Sequence, residues 1–278
     1  MTEVYRTVTE LEWALEQLRG AGKTIAFVPT MGALHEGHLA LVDAADHLAD
    51  VVVVSIFVNP TQFGAGEDFD KYPRNLERDA DLLEEFELII FAPATPEIYP
   101  TGNPVEQLQA GPIGDLWEGA VRPGHFDGVL TVVNRLFEIV KPDLVLFGEK
   151  DWQQLTLVRR MAKERHPKLK VVGVPTVRDE NGFAFSSRNA YLTPEQLADA
   201  TAIPLALRLI VNSGGTPGSI AHANEILENA GIMIDYLALV DENLSPTMQP
   251  GSARVIFAGR LGTVRLIDNL PMVIIGER

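Results

Sequence analysis

Thr24-Ile25-Ala26-Phe27-Val28-Pro29-Thr30-Met31-Gly32-Ala33-Leu34-His35-Glu36-Gly37-His38 carries a change of period from strand to helix within fifteen residues. Thr24 to Val28 is an apolar run of strand length that Pro29 ends. Gly32 to Glu36 lead into a helical pattern in which Leu41, Val42, Ala45 and Leu48 share one face. Val51 to Phe57 follows as a nearly continuous β-branched run, the pattern of a strand buried on both faces of a parallel sheet.

The alternation continues outward from there. Asn75 to Phe86 reads as a helix, Leu88 to Phe91 as a strand, Val129 to Val140 as a helix with a regular apolar face, and Leu144 to Phe147 as a strand. Trp152 to Arg165 and Val171 to Val174 add a further helix and strand. Strands alternating with helices predict an α/β fold, a Rossmann-like parallel sheet with crossover helices, whose ligands bind outside the carboxyl ends of the strands. After about Thr176 the pattern changes. Thr193 to Asn212 and Ser219 to Ala230 read as helices, and Ile232 to Val240, Arg254 to Phe257 and Thr263 to Ile267 as strands. The expectation is a nucleotide- and substrate-binding domain over 1–176 and a smaller C-terminal α+β domain over 177–278 that closes over the active site. The Pro- and Gly-rich stretch Pro93 to Pro112 reads as an irregular loop inside the first domain, because the alternation resumes after it.

Composition bounds the chemistry. The 278 residues, 46% hydrophobic and 22% charged, suit an ordinary globular protein of about two domains. With no cysteine, thiolate metal sites and cysteine nucleophiles are excluded, and a reducing compartment is expected. The longest largely apolar run, Val51 to Val58, falls far short of the ~20 residues that span a bilayer. Met1 to Glu16, with Glu3, Glu10, Glu12 and Glu16, lacks the charge and apolarity of a signal peptide, so a cytoplasmic protein without membrane contact is expected. Thirty-eight acidic residues against 23 basic ones give a formal charge of -15, which opposes a nucleic-acid partner but not a small anion held by a few converging cations.

His35 and His38, three residues apart around Gly37 at a helix start, form the most informative cluster. The positive end of a helix dipole, exposed amides and two imidazoles attract phosphate, and His-x-Gly-His after a strand is the signature of nucleotidylyl transfer, in which an α-phosphate is attacked and pyrophosphate leaves. A plain surface pair is the bland alternative, and zinc would need a third ligand that neither a His-Glu-x-x-His pattern nor a cysteine supplies. Gly20-Ala21-Gly22-Lys23-Thr24 is not a phosphate-binding Walker loop, since the first glycine of that motif would fall on Gln17, and it reads as a helix-to-strand turn. Gly148-Glu149-Lys150-Asp151 follows a strand, so Lys150 stands at the carboxyl edge, where Asp151 serves equally well as the cap of the next helix. Phe185-Ser186-Ser187-Arg188 combines small hydroxyls with a fixed cation, suited to developing phosphate charge or to an ordinary turn. Gln62 and Gln154 suit a hydrogen bond to a hydroxyl or a carboxylate, or the ordinary solvated role of a lone glutamine, and Arg122 and His125 add polar groups ahead of the long helix.

Taken in order, Pro29 to His38, Val58-Asn59-Pro60-Thr61-Gln62-Phe63, Arg122-Pro123-Gly124-His125-Phe126-Asp127-Gly128-Val129, Phe147 to Gln154 and Ser186-Ser187-Arg188-Asn189 closely resemble the pantothenate synthetase (pantoate beta-alanine ligase) family, and Thr263 to Asn269 resembles its last strand. The resemblance implies ATP as co-substrate lying along Met31, Gly32, Ala33, Leu34, His35, Glu36, Gly37 and His38, along Gly148, Glu149, Lys150 and Asp151, and along Val177, Phe185, Ser186, Ser187 and Arg188. It implies His38 as proton donor, with His35, Lys150 and Arg188 acting around the phosphates, and Gln62 and Gln154 holding pantoate, Gln62 also near the beta-alanine site. It further implies Mg2+, for which Asp79 is the candidate ligand, and a homodimer. Phe185 stands where the family usually has methionine. Two competing classes remain: another His-x-Gly-His nucleotidylyl transferase, including a relative of aminoacyl-tRNA synthetases, and a nucleotide-sensing protein without catalysis.

Overall fold

A computed structural model describes residues 3–64, 67, 69–101 and 105–275. A strand absent from the sequence pattern opens the chain: β1 (Glu3–Tyr5) has three residues, too few for a period to register, and pairs in parallel with residues 89–91. Thr7 and Glu10 form a capping box for α1 (Val8–Gly20), and the expected turn leads to β2 (Ile25–Thr30). β2 runs through Pro29 instead of ending before it, with Pro29 opposite Ser55. Ile25 O accepts from Asp143 N–H and Thr30 O from Phe57 N–H, so alternate residues address alternate neighbours. Pro29 therefore faces the side of residues 143–145, where the ladder has already ended at Phe27, and its missing N–H breaks no ladder bond.

α2 (Glu36–Asp46) turns Leu41, Val42 and Ala45 inward, whereas Leu48, expected on that face, lies past the helix end and is exposed. β3 (Val51–Ile56) is followed by α3 (Leu76–Leu82), shorter than the expected 75–86, with Asn75 as its N-cap and Leu83 as its C-cap, and by β4 (Leu88–Phe91). The Pro- and Gly-rich stretch contains α4 (Thr95–Ile98), and its residues 102–104 lie outside the described residues. Then come α5 (Glu118–Val121), α6 (His125–Val140), β5 (Leu144–Gly148), α7 (Trp152–Arg165) and β6 (Lys170–Val174).

All six strands are parallel, in the order β1-β4-β3-β2-β5-β6. From β2 the chain steps out to β3 and β4 on one side, then returns to place β5 and β6 on the other. The order thus reverses between β2 and β5, and in open sheets of this kind ligands bind beyond the carboxyl ends of the strands at such a reversal. Leu34, Leu41, Val42, Ala45 and Leu83 pack with Val28, Val54, Ile90 and Leu146 on one face. On the other, Phe27 meets Phe137 of α6 edge to face at 6.4 Å, both fully buried. Each such side chain contributes roughly 1.5–3 kcal/mol by burial, so this interior fixes the sheet edge on which the loops stand.

The remaining chain forms α8 (Pro194–Ala200), α9 (Ala202–Asn212), α10 (Pro217–Asn229) and the antiparallel sheet β7 (Ile232–Val240), β8 (Gly251–Leu261), β9 (Val264–Ile274). The single helix expected over 193–212 is two. Pro204 cannot donate to Ala200 O and its ring would press on that carbonyl, so the helix ends at Ala200 and restarts with Pro204 in its first turn. β8 and β9 outrun the expected 254–257 and 263–267, joined by the two-residue turn Gly262–Thr263. Ile203, Leu207, Ile210, Phe257 and Leu266 belong to this region's core.

The chain divides into two compact units, Met1–Glu149 with Leu157–Pro175, and Lys150–Thr156 with Thr176–Arg278. The first turn of α7 thus belongs to the second unit although the rest of that helix belongs to the first, which no single boundary at 176 describes. Among the described residues, no helix is long and apolar enough to cross a membrane.

Candidate active site

β2 delivers the chain to the carboxyl edge beside the reversal of strand order, and Met31 to Leu34 turn it into α2. Gly32 (φ 82°) and Ala33 (φ 52°) both adopt left-handed backbone, which an alanine disfavours. Asp79 of α3 offsets that cost. Its Oδ2 accepts from Ala33 N–H and its Oδ1 from Leu34 N–H, both at 2.9 Å, while its side chain is 1% exposed and Arg78 lies 3.9 Å away. Asp79, the candidate magnesium ligand, thus braces this turn. Among the described residues, no group of three or more His, Asp or Glu side chains is arranged to hold a metal ion.

Leu34 sends its side chain into the core, and His35 caps α2 by accepting from Gly37 N–H at Nδ1, 3.1 Å. The accepting nitrogen carries the lone pair, so Nε2 bears the hydrogen of the neutral ring. The His35 and His38 rings stand 4.2 Å apart. A Cβ at residue 37 would lie 2.9 Å from His35 Cε1, so what the glycine admits is the capping imidazole. Five amides of the segment are engaged within the turn: Gly32 N–H with Thr30 Oγ1, Ala33 and Leu34 with Asp79, Gly37 with the His35 ring and His38 with His35 O. The two imidazoles stand beside them on the positive end of α2.

Beyond β3, Asn59 caps a 3-10 turn over Pro60–Gln62. Asn59 and Gln62 are both buried, and Asn59 Nδ2 donates to Gln62 Oε1 at 3.1 Å and to Gly128 O at 3.2 Å. Tyr99 O–H donates to Asn59 Oδ1 at 2.8 Å. Burial first of all raises the Tyr99 pKa, keeping it a donor. Gln62 Nε2 reaches Met31 Sδ at 3.1 Å, which brings Gln62 and the His-bearing turn together.

Gly148 ends β5, and Glu149–Asp151 forms a 3-10 turn that runs directly into α7. In the second unit, Lys150 O accepts from Asn269 Nδ2 at 2.9 Å, and the Arg254 guanidinium lies 3.5 Å from the Trp152 ring centroid, a cation–π contact. Gln154 is partly exposed on the first turn of α7, while its neighbour Gln153 is the buried one. Val177 and Phe185 face each other across a hairpin through Phe185 N–H and Val177 O, 3.1 Å, and Asp179 Oδ1 closes the loop by accepting from Asn181 and Phe183 N–H. Ser186 caps the 3-10 turn Ser187–Tyr191 by accepting from Arg188 N–H. Phe185 is partly exposed, while Phe183 and Ala184 are core. Arg178 forks onto Asp268 at 2.7 and 2.8 Å and donates to Asn269 O at 3.0 Å. β9 thus holds both the Lys150 turn and the arm carrying Phe185 to Arg188.

The first unit therefore brings together Met31 to His38 and Gln62, with Gly148 and Glu149 at the adjoining strand end. The second carries Lys150, Asp151, Gln154, Val177 and Phe185 to Arg188. Asn59, Tyr99, Asp268 and Asn269, which hold these groups in place, show no chemical signature in the sequence. Asn59 stands before Pro60 as an ordinary turn residue, and Asp268 and Asn269 interrupt an apolar strand, a signal visible only as two polar residues where the core face is expected.

The sequence model described as pantoate-beta-alanine ligase matches residues 3–271. Pantothenate synthetase of Nocardia farcinica is 48% identical over 261 residues, covering 92% of this chain and 82% of the relative. That of Thermus thermophilus is 50% identical over 272 residues, covering 95% and 97%. The crystal structure of pantothenate synthetase from Thermus thermophilus matches with a TM-score of 0.90 at 48% identity, over 96% of this chain and 98% of that one. The crystal structure of pantoate-beta-alanine ligase from Francisella tularensis, complexed with beta-gamma ATP and beta-alanine, matches with a TM-score of 0.84 at 35% identity, over 97% of each. With six parallel strands, a histidine pair at the central strand's end and this likeness over nearly the whole length, the chain belongs to the pantoate-beta-alanine ligase family.

Proposed function

We propose that the chain joins pantoate to beta-alanine at the cost of ATP, through a pantoyl adenylate, forming pantothenate and releasing AMP and pyrophosphate on the route to coenzyme A. The pantothenate synthetases at 48–50% identity and the Francisella enzyme complexed with beta-gamma ATP and beta-alanine support this reading. The observation that carries it is the His35–His38 pair at the start of α2, on the carboxyl edge next to the reversal of strand order.

In this reading a pantoate carboxylate oxygen attacks the α-phosphorus of MgATP, the metal arriving with the nucleotide, and pyrophosphate leaves. Developing negative charge meets His35 and the proton donor His38, with Lys150, Ser186, Ser187 and Arg188 supplying further donors. ATP runs along Met31 to His38, Gly148 to Asp151, Val177 and Phe185 to Arg188. Gln62 and Gln154 hold pantoate, Gln62 also bordering beta-alanine. The amine of beta-alanine then attacks the acyl carbon, AMP leaves, and the amine's surplus proton passes to water. Both steps depend on positioning, since a carboxylate and an amine must each be held within attack distance. The 177–278 domain closing over the nucleotide, a homodimer and a cytoplasmic location complete the reading, and rest on resemblance to the family and the absence of cysteine.

Exchange of labelled pyrophosphate into ATP tests it. Exchange is expected with pantoate alone, and addition of beta-alanine then yields AMP and pantothenate in equal amounts. Exchange with another carboxylic acid but not with pantoate would assign the chain to a different nucleotidylyl transferase, and exchange with no acid would leave a nucleotide sensor.

A further inference from the structure

We infer that His125, backed by Arg122 and Gly128, is a positioning residue that sets the place of Gln62 for the carboxylic acid substrate. The inference rests on the proposed function and deepens it. Besides the contact of its Nε2 with Met31 Sδ, Gln62 is held at three points. Its side-chain oxygen accepts from Asn59 Nδ2, its backbone carbonyl meets His125 Nδ1 at 2.8 Å and Arg122 Nη2 at 3.5 Å, and its Cα lies against the backbone of α6. The last contact is possible because residue 128 has no side chain: a Cβ there would lie 2.3 Å from Thr61 O and 2.8 Å from Gln62 Cα.

The hydrogen bonds admit one arrangement of protons. Arg122 Nη1 stands 3.0 Å from His125 Nε2, and a guanidinium only donates, whereas the Gln62 carbonyl only accepts. His125 must therefore be neutral, with the hydrogen on Nδ1 and the lone pair on Nε2. An imidazolium would point an N–H at an N–H. Burial, and after it the Arg122 charge, push the His125 pKa down to about 4, in keeping with that geometry. Arg122 is itself fixed by a fork onto Glu67, Nε and Nη2 donating at 2.7 and 2.6 Å. Burial works to raise the Glu67 pKa, but the Arg122 hydrogen bonds and charge bring it below the ordinary value. The chain Glu67, Arg122, His125, Gln62 carbonyl thus ties a flexible glutamine to the long helix that forms part of the sheet's interior. A side chain that must orient a small acid needs this, because misplacement by about 1 Å costs on the order of a hundredfold in rate.

Three variants test the inference in the pyrophosphate exchange assay, with KM for pantoate and for ATP measured separately. His125→Leu removes donor and acceptor. His125→Asn keeps a donor close to the place of Nδ1. Gly128→Ala presses on the Gln62 turn from the steric side. Expected for His125→Leu and Gly128→Ala is a loss of roughly tenfold or more in kcat/KM for pantoate with KM for ATP within about twofold, and for His125→Asn recovery of most of that loss. Parent constants in both His125→Leu and Gly128→Ala would overturn it. So would a loss shared equally by ATP and pantoate, a fall in active fraction with every KM unchanged, or His125→Asn no better than His125→Leu. An active parent with unaffected variants refutes the positioning role alone, whereas a parent without pantoate-dependent exchange refutes the proposed function and this inference together.

Discussion

Asp79 shows why a residue's type and neighbourhood in sequence do not disclose its task. The family resemblance makes Asp79 a candidate Mg2+ ligand, and the structure gives its carboxylate a second task, accepting from the amides of Ala33 and Leu34. Asp79→Asn would set an amide N–H against one of those donors. We expect a loss of about 1–3 kcal/mol in stability by urea unfolding, weaker use of ATP, and an unchanged midpoint for Mg2+, since a shifted midpoint would make Asp79 a metal ligand after all. His38→Ala is expected to lower pyrophosphate exchange by ~100-fold or more while the circular dichroism spectrum stays that of the parent. Near-normal turnover would remove His38 from the mechanism. His125 makes stability depend on pH in a stated direction. Its folded pKa, about 4, lies below the ordinary 6.5, so between these values the unfolded chain takes up a proton that the folded one refuses. Stability falls as pH drops from about 6.5 to about 4, by on the order of 3 kcal/mol in all. Urea unfolding at pH 7 and pH 4.5 should show this difference shrinking in His125→Asn.

Elements of four or more residues with a clear period were legible: Leu88–Phe91, Trp152–Arg165 and Ile232–Val240 occupy the residues their patterns predict. β1 was not, being three residues long and formed by pairing with β4. Pro204 carried a readable break that apolar periodicity across 193–212 masked, and β8 and β9 extend beyond their apolar centres because each completes the other's ladder. At this scale the pair between Arg178, in the hairpin of residues 177–185, and Asp268, on β9, matters most, since the Asp268 side chain is 2% exposed. Arg178→Met leaves that carboxylate buried and unpaired, at a cost of about 3–5 kcal/mol by denaturant unfolding. Asp268→Asn in the same chain should return part of the loss, and additive losses would show that the two residues are not coupled.

For the whole molecule, alternation of strand and helix sufficed to predict a parallel sheet with its loops of interest at the carboxyl edge, but not the order β1-β4-β3-β2-β5-β6 that puts the ends of β2 and β5 side by side. A chain ending at Thr176 keeps the core around Val54, Ile90 and Leu146 and loses Phe185 to Arg188 together with the Asn269 that holds Lys150 O. We expect it to retain parallel-sheet structure by hydrogen exchange and to show no pantoate-dependent pyrophosphate exchange; full activity would leave the second unit without a catalytic part. By itself the sequence determined the class of fold, the strand ends at which His35, His38 and Lys150 stand, and the family, because a period, a turn and a motif are each written within a few neighbouring residues. Only the tertiary structure decided what Asp79, His125 and Asn269 do. Their hydrogen bonds close across 45, 63 and 119 residues of chain, and no local pattern encodes a contact whose two halves meet only when the sheet and helices have packed.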